Sequence, residues 1–289
     1  MPENKSLVQV CDITNPFNAP VYYRETVSST MDEARLLAAR GEKHGAVIAA
    51  GFQEAGRGRG LNRGWTAERG KNLFFTILLR YPGLDAVPPA FTLRTGLAVS
   101  LAVEDFAPAL KGRVRVKWPN DIMLIETRSG ADTAAKTAGI LTESVPDAAG
   151  CVVYAGVGVN LAQTEFPPDI RAKATSLLLA CNSVSGGCGK TTYTAGDRFQ
   201  LLEKILARLY AEITAGHSCW KERLEARLYR RGERIRFFAG GPGAGLPVEG
   251  VLSGIGADGE LLITADGETE SRAFITGEID VYGGGCPVF

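Results

Sequence analysis

Two textures of apolar and polar positions divide the chain. Up to about residue 231, apolar runs of strand length alternate with helical spacings. SSTMDEARLLAARG (28–41) starts on hydroxyl residues, carries acids in its first turn and stops at Gly41, which predicts a helix. Thr30 and Glu33 stand at capping-box spacing. GAVIAAGF (45–52) and NLFFTILLR (72–80) are near-continuous apolar runs and predict buried strands. FTLRTGLAVSLAVEDF (91–106) predicts a mostly buried helix, and RVRVKW (113–118) alternates as a strand. TAGILTES and CVVYAGVGVNL predict two further strands. GDRFQLLEKILARLYAEI (196–213) has the amphipathic period of a helix, and CWKERLEARLYRRG predicts another. After Gly232 the runs shorten and alternate, broken twice by ADGE, at Ala257–Glu260 and Ala265–Glu268. Asp-Gly between alternating apolar runs signals hairpins, so 232–289 is expected to be a small β-barrel domain following a larger domain, 1–231.

Composition narrows the function classes. The 289 residues are 45% hydrophobic and 22% charged, as in ordinary globular proteins. Lys+Arg and Asp+Glu each total 32, so no basic excess points to nucleic acid, and any basic chemistry is local. Cys11, Cys151, Cys181, Cys188, Cys219 and Cys286 are scattered without a C-x-x-C pair, which fits a reducing compartment and no zinc site. With His44 and His217 as the only histidines, a His-centred mechanism is poorly supplied. No signal-peptide core or membrane-length apolar run stands out, and a cytoplasmic location is expected.

The most unusual stretch is GFQEAGRGRGLNRGWTAERGKNLFF (51–75), in which Arg57, Arg59, Arg63, Arg69 and Lys71 sit among glycines around Trp65. It lies between two predicted strands, whereas a dinucleotide fingerprint needs a strand-to-helix turn. SGGCGKTT (185–192) is no phosphate loop, because Val184 stands where the first glycine is required.

Four stretches, SSTMDEA, FQEAGRGRG with its Trp, VKWPNDI and KTAGIL, together resemble the biotin protein ligases. GVGVNLA, ATSL and TGEID fall where those enzymes carry similar segments. The resemblance runs from about Tyr22 to Tyr282. It implies an α+β fold: a class II synthetase-like catalytic domain with a mixed sheet flanked by helices, then an SH3-like barrel. It implies ATP-dependent activation of biotin as biotinyl-5′-AMP with Mg2+, followed by transfer to a lysine of the biotin carboxyl carrier domain of a carboxylase. By the same resemblance, Ser29, Thr30 and Gln53 bind the ureido ring. Met31 stands where the family often has Asn. Arg57, Gly58 and Arg59 hold the carboxylate and phosphate. Trp65 stacks over adenine or the lid, although one extra residue separates it from Arg59. Asn120 and Asn160 lie near the adenylate. Asp121 either orients Mg2+ or helps deprotonate the acceptor lysine. Lys136 bridges carboxylate and phosphate as the principal catalytic group, with Arg57 and Asp121 beside it.

The physics of joining a carboxylate to a polyanion requires cations at close range, and a glycine-rich loop can close over the product as a water-excluding lid. The segment 125–135 lengthens the Asp121–Lys136 gap and reads as a hairpin insertion. Only 28 residues precede Ser29, too few for the helix-turn-helix domain of some members, so no specific DNA binding is expected. No membrane partner is expected, and a homodimer is compatible with the reading. The alternatives are a lipoate or octanoate ligase or transferase of the same fold, a nucleic-acid-binding module, and a non-catalytic biotin-binding protein.

Overall fold

A computed structural model describes residues 8–10, 12–59, 64–128, 131–184, 191–194, 196–214, 219–240 and 246–281. Eight strands form the larger sheet: β1 (Val8–Gln9), β2 (Val21–Val27), β3 (Val47–Gln53), β4 (Leu73–Tyr81), β5 (Val114–Lys117), β6 (Asp121–Arg128), β7 (Ala131–Asp147) and β8 (Gly150–Val159). Their order is β1-β2-β3-β4-β8-β7-β6-β5. β2 and β3 run parallel and the other pairs antiparallel, so the sheet is mixed, as expected. Among the described residues five α-helices accompany it: α1 (Thr30–Ala39), α2 (Phe91–Phe106), α3 (Leu177–Val184), α4 (Asp197–Thr214) and α5 (Trp220–Glu225).

β4 shows why its run is apolar on both faces. Leu73, Phe75, Ile77 and Leu79 enter the main core with α2 and α4, while Leu78 joins a smaller core with Met31, Ala34 and Leu37 of α1. Helices therefore cover both sides of the sheet, and alternation disappears from its central strands. Leu84–Phe106 is long and apolar enough, by length and composition, to cross a membrane. Most of it is α2, whose residues pack against α4 inside the main core.

Three local readings differ from expectation. The N-cap of α1 is Ser29, whose hydroxyl accepts from Met31 N at 3.3 Å; Glu33 pairs with Arg24 rather than reaching back to close a box with Thr30. β2 and β6 carry no clean alternation and escaped the pattern. α5 is only six residues long, because after Ala226 the main chain turns to the sheet edge. There Val116 N donates to Arg227 O at 2.9 Å and Tyr229 N donates to Val116 O at 2.9 Å. That pairing satisfies the edge strand β5. Ile125–Arg128 pair antiparallel with Ala131–Ala134, the strand pairing that the expected hairpin insertion requires.

The remaining strands, β9 (Arg234–Ala239), β10 (Leu246–Ile255), β11 (Leu261–Ala265), β12 (Arg272–Phe274) and β13 (Gly277–Ile279), form a second, antiparallel sheet in the order β12-β11-β10-β9-β13. This is the expected SH3-like barrel. Both ADGE segments are its turns, with Gly259 and Gly267 at φ +96° and +82°, where a side chain would be strained. Trp118, 2% exposed, joins the two sheets: its indole N–H donates to Gly259 O at 3.0 Å and its ring meets Phe237 at 5.9 Å.

Candidate active site

The start of α1, the end of β3 and the middle of β4 converge on one polar cluster. Thr30 N donates to Gln53 Oε1 at 2.8 Å, and the Thr30 hydroxyl donates to the same oxygen at 3.0 Å. Thr76, fully buried on β4, donates to Thr30 Oγ1 at 2.9 Å. Ser29 and Thr30 are 3% and 4% exposed. This cluster floors a cavity of about 60 Å3 that also touches Met31, Gly139, Gly156 and Gly158.

A β-bulge sets the position of Lys136. β6 pairs Ile122 with Ala138 and Met123 with Lys136, so Thr137 is the extra residue. β7 contacts β8 only from Ala138 onward. The main chain of Lys136 bonds instead to the 173–175 segment, accepting from Thr175 N at 2.9 Å and donating to Lys173 O at 2.8 Å. Its ammonium donates to Asp121 Oδ1 at 2.6 Å and lies 5.4 Å from the Trp65 ring. Lys117 Nζ stands 3.8 Å from Asp121 Oδ2 and 3.9 Å from Glu278 of β13. Asn160 follows β8: its Nδ2 donates to Thr175 O at 3.1 Å, while its buried Oδ1 has no protein partner. These residues line a second cavity of about 360 Å3 with Phe166, Asp169 and Lys173. Gly58, Arg59, Trp65, Asn120 and Lys136 line both cavities, so the two spaces meet at Lys136.

The arms of the glycine-rich loop stand over this junction. Arg57 pairs with Gly64 as an isolated bridge, and Trp65 N donates to Gly56 O at 2.9 Å. Arg63 lies outside the described residues. Arg57 reaches Asp32 Oδ1 at 2.6 Å, an oxygen that also holds Arg35 at 2.7 Å, and Arg35 continues to Glu143. Arg59 donates to the main-chain oxygen of Gly277 in the barrel at 3.1 Å. Trp65 lies on two glycines; a Cβ on Gly139 would stand 2.9 Å from its ring and one on Gly158 3.3 Å. Arg69 anchors the far stem, 4.1 Å over the Phe52 ring, and Arg198 holds Gly70 O at 2.6 Å.

Burial drives the Asp121 carboxyl upward, but Lys136, Lys117 and Arg59 outweigh it and hold it below the usual carboxylate range. The stability that a depressed pKa contributes is fully present above the unfolded value of about 3.9 and is lost as pH falls from there through the lower folded value. Wild type is expected to lose stability below about pH 4 relative to Asp121→Asn, with the gap largest near neutrality. Urea midpoints of both proteins between pH 7 and 3 measure this, and parallel pH profiles would refute it. Asp121 does not fit Mg2+ as a ligand, because both its oxygens face lysines. Among the described residues no group of three His, Cys, Asp or Glu gathers to hold a metal.

Residues 23–160 match the biotin/lipoate A/B protein ligase family model. That match spans just under half of the chain. The Mycobacterium tuberculosis biotin–[acetyl-CoA-carboxylase] ligase is 29% identical over 251 residues, covering 85% of this chain and 83% of that protein. The Bacillus subtilis bifunctional ligase/repressor BirA is 31% identical over 158 residues, 54% of this chain but only 45% of that protein, so the match spans about half its length. Among solved structures, biotin protein ligase from Aquifex aeolicus in complex with biotin and ATP superposes with a TM-score of 0.67 at 24% identity, covering 90% of this chain and 97% of that one. The Leishmania major biotin protein ligase in complex with biotin gives 0.56 at 25%, covering 90% and 99%.

Within this biotin/lipoate ligase fold every motif residue read from the sequence reaches the same region. Ser29, Thr30, Met31, Gln53 and Arg57 line the smaller cavity, Asp121 and Asn160 the larger, and Gly58, Arg59, Trp65, Asn120 and Lys136 both. Asn120 is partly committed to structure, its Nδ2 donating to Ile140 O at 2.9 Å. Sequence reasoning missed Lys117, Thr76 and Glu278. Lys117 and Glu278 lie within the quoted VKWPNDI and TGEID but were given no role there, and Glu278 reaches the site only because the barrel folds over it; Thr76 hides in an apolar run.

Proposed function

We propose that the chain is an ATP-dependent biotin protein ligase. The observation that carries this is the meeting of two cavities at Lys136, one floored by amide and hydroxyl groups and the other lined by lysines and an unpartnered Asn160 oxygen. Biotin lies with its ureido ring on Ser29, Thr30 and Gln53 and its carboxylate toward Lys136, Arg57 and Arg59. ATP fills the larger cavity, and its adenine amine donates to Asn160 Oδ1. A carboxylate oxygen attacks the α-phosphorus. The bond to the β-phosphate oxygen breaks, and pyrophosphate leaves with the electron pair. Lys136 and the loop arginines neutralise charge on both reacting groups and hold them in line.

In the second step the neutral amine of a carrier lysine attacks the acyl carbon, AMP departs with the anhydride oxygen and its electron pair, and the amine's proton passes to solvent. Asp121 is a weak base because its ionised form is stabilised, so its role is to hold Lys136 rather than to take the amine's proton. The partner is the biotin-accepting domain of a carboxylase. No step runs through a protein-held metal. ATP brings its own Mg2+.

Lipoate lacks a polar ring head and would leave the buried hydroxyls and amide unmatched, a mismatch worth orders of magnitude in such sites. Biotin-dependent ATP–pyrophosphate exchange, with lipoate as control acid, tests the proposal. Exchange with biotin alone is expected. Biotin binding without exchange would leave only a binding protein, and exchange with lipoate alone would move the chain to the family's other branch.

A further inference from the structure

Resting on the reading of the smaller cavity as a biotin site, we propose that Thr76 is a positioning residue that fixes the Thr30 hydroxyl as an acceptor for one ureido N–H. Thr76 is 0% exposed on a strand whose neighbours Phe74, Phe75, Ile77 and Leu78 are at most 1% exposed. A hydroxyl in such surroundings is costly unless bonded, and Thr76 bonds Thr30 Oγ1 at 2.9 Å.

The direction of every bond in the cluster follows from one main-chain donor. Thr30 N–H can only donate, so the Gln53 atom 2.8 Å from it is the carbonyl oxygen. Thr30 Oγ1 lies 3.0 Å from that same oxygen and must give it its single hydrogen. A hydroxyl with its hydrogen committed can only accept elsewhere. One lone pair of Thr30 takes the Thr76 hydrogen, and the other remains for the cavity. Gln53 Nε2, on the Gly56 side, is left as a donor, as is the Ser29 hydroxyl, whose oxygen already accepts from Met31 N. A cyclic urea offers one carbonyl acceptor and two N–H donors, the complement of this arrangement. Without Thr76, the Thr30 hydroxyl loses the neighbour that holds it in place, and its acceptor direction is no longer fixed.

The test is calorimetric titration of biotin into wild type, Thr76→Val and Thr76→Ser, each first checked by thermal unfolding. Thr76→Val is expected to weaken biotin about tenfold, the scale of one buried hydrogen bond, while Thr76→Ser stays within about twofold of wild type. In ATP–pyrophosphate exchange the loss is expected in KM rather than kcat. Two carbamate analogues, each replacing one ureido N–H by ring oxygen, separate positioning from packing. Wild type should discriminate against the isomer lacking the Thr30-facing N–H, and Thr76→Val should lose most of that discrimination. Equal weakening of biotin and both carbamates by Thr76→Val would make Thr76 a packing residue and overturn the inference. Thr76→Val binding biotin as wild type does would overturn it alone, whereas wild type binding no biotin would overturn the biotin reading with it. Should Thr76→Val not fold, Thr76→Cys, whose thiol is a weak donor, serves the same comparison.

Discussion

Lys136→Ala is expected to lower biotin-dependent ATP–pyrophosphate exchange by about 100- to 1,000-fold, the scale on which single charge-stabilising donors act in preorganised sites. Three features concentrate the effect on this side chain. The Thr137 bulge and the 173–175 segment fix its main chain, so its position does not depend on a ligand. Asp121 holds its ammonium at 2.6 Å. It lines both cavities, where the proposed function brings the attacking carboxylate to the α-phosphate. Biotin affinity is expected to fall far less, because the ring floor lies on other elements. Lys136→Arg is not expected to restore the rate, since a planar fork cannot replace a compact ammonium in the same space. Single-turnover adenylation, measured beside equilibrium biotin binding, separates the two effects. Wild-type adenylation in Lys136→Ala would remove Lys136 from the chemistry.

Trp118→Ala is expected to cost about 3–5 kcal/mol of stability, the range for deleting a buried aromatic side chain. Its indole is 2% exposed, donates to the Gly259 turn and packs on Phe237, so the substitution empties space at the junction of the two sheets. The loss should fall heavily on the barrel. Arg59 and Lys117 reach Gly277 and Glu278 of β13, and a loosened barrel disturbs the nucleotide side of the site as well. Urea unfolding of Trp118→Ala against wild type measures the cost. A change below about 1 kcal/mol would show that the sheets are held together elsewhere.

The elements that packing dictates on both faces were legible in the sequence. β3, β4 and β8 read as unbroken apolar runs, α2 and α4 as helices, and the two Asp-Gly turns announced the barrel before any resemblance was invoked. β2 was not legible, because only Val21 and Val27 of its seven residues are fully buried and its polar positions have no period. The site residues were legible as short motifs, but their meeting was not. Lys136 and Asp121 are joined by a bulge whose place depends on strand register, and register is a long-range property that local composition does not encode. Thr76 was silent for a related reason. A lone threonine in a strand reads as β-propensity, and only the folded arrangement shows which hydroxyl it faces.

The Arg57–Asp32 contact gives the loop a resident counter-ion. An anion that captures Arg57 replaces one carboxylate by another, so the arginine need not pass through an unneutralised state. The exchange also leaves no stranded charge behind, because the same Asp32 oxygen still receives Arg35, itself backed by Glu143. On the proposed reading, capture of a substrate carboxylate by Arg57 is a hand-over between ion pairs, with Asp32 waiting to take the arginine back.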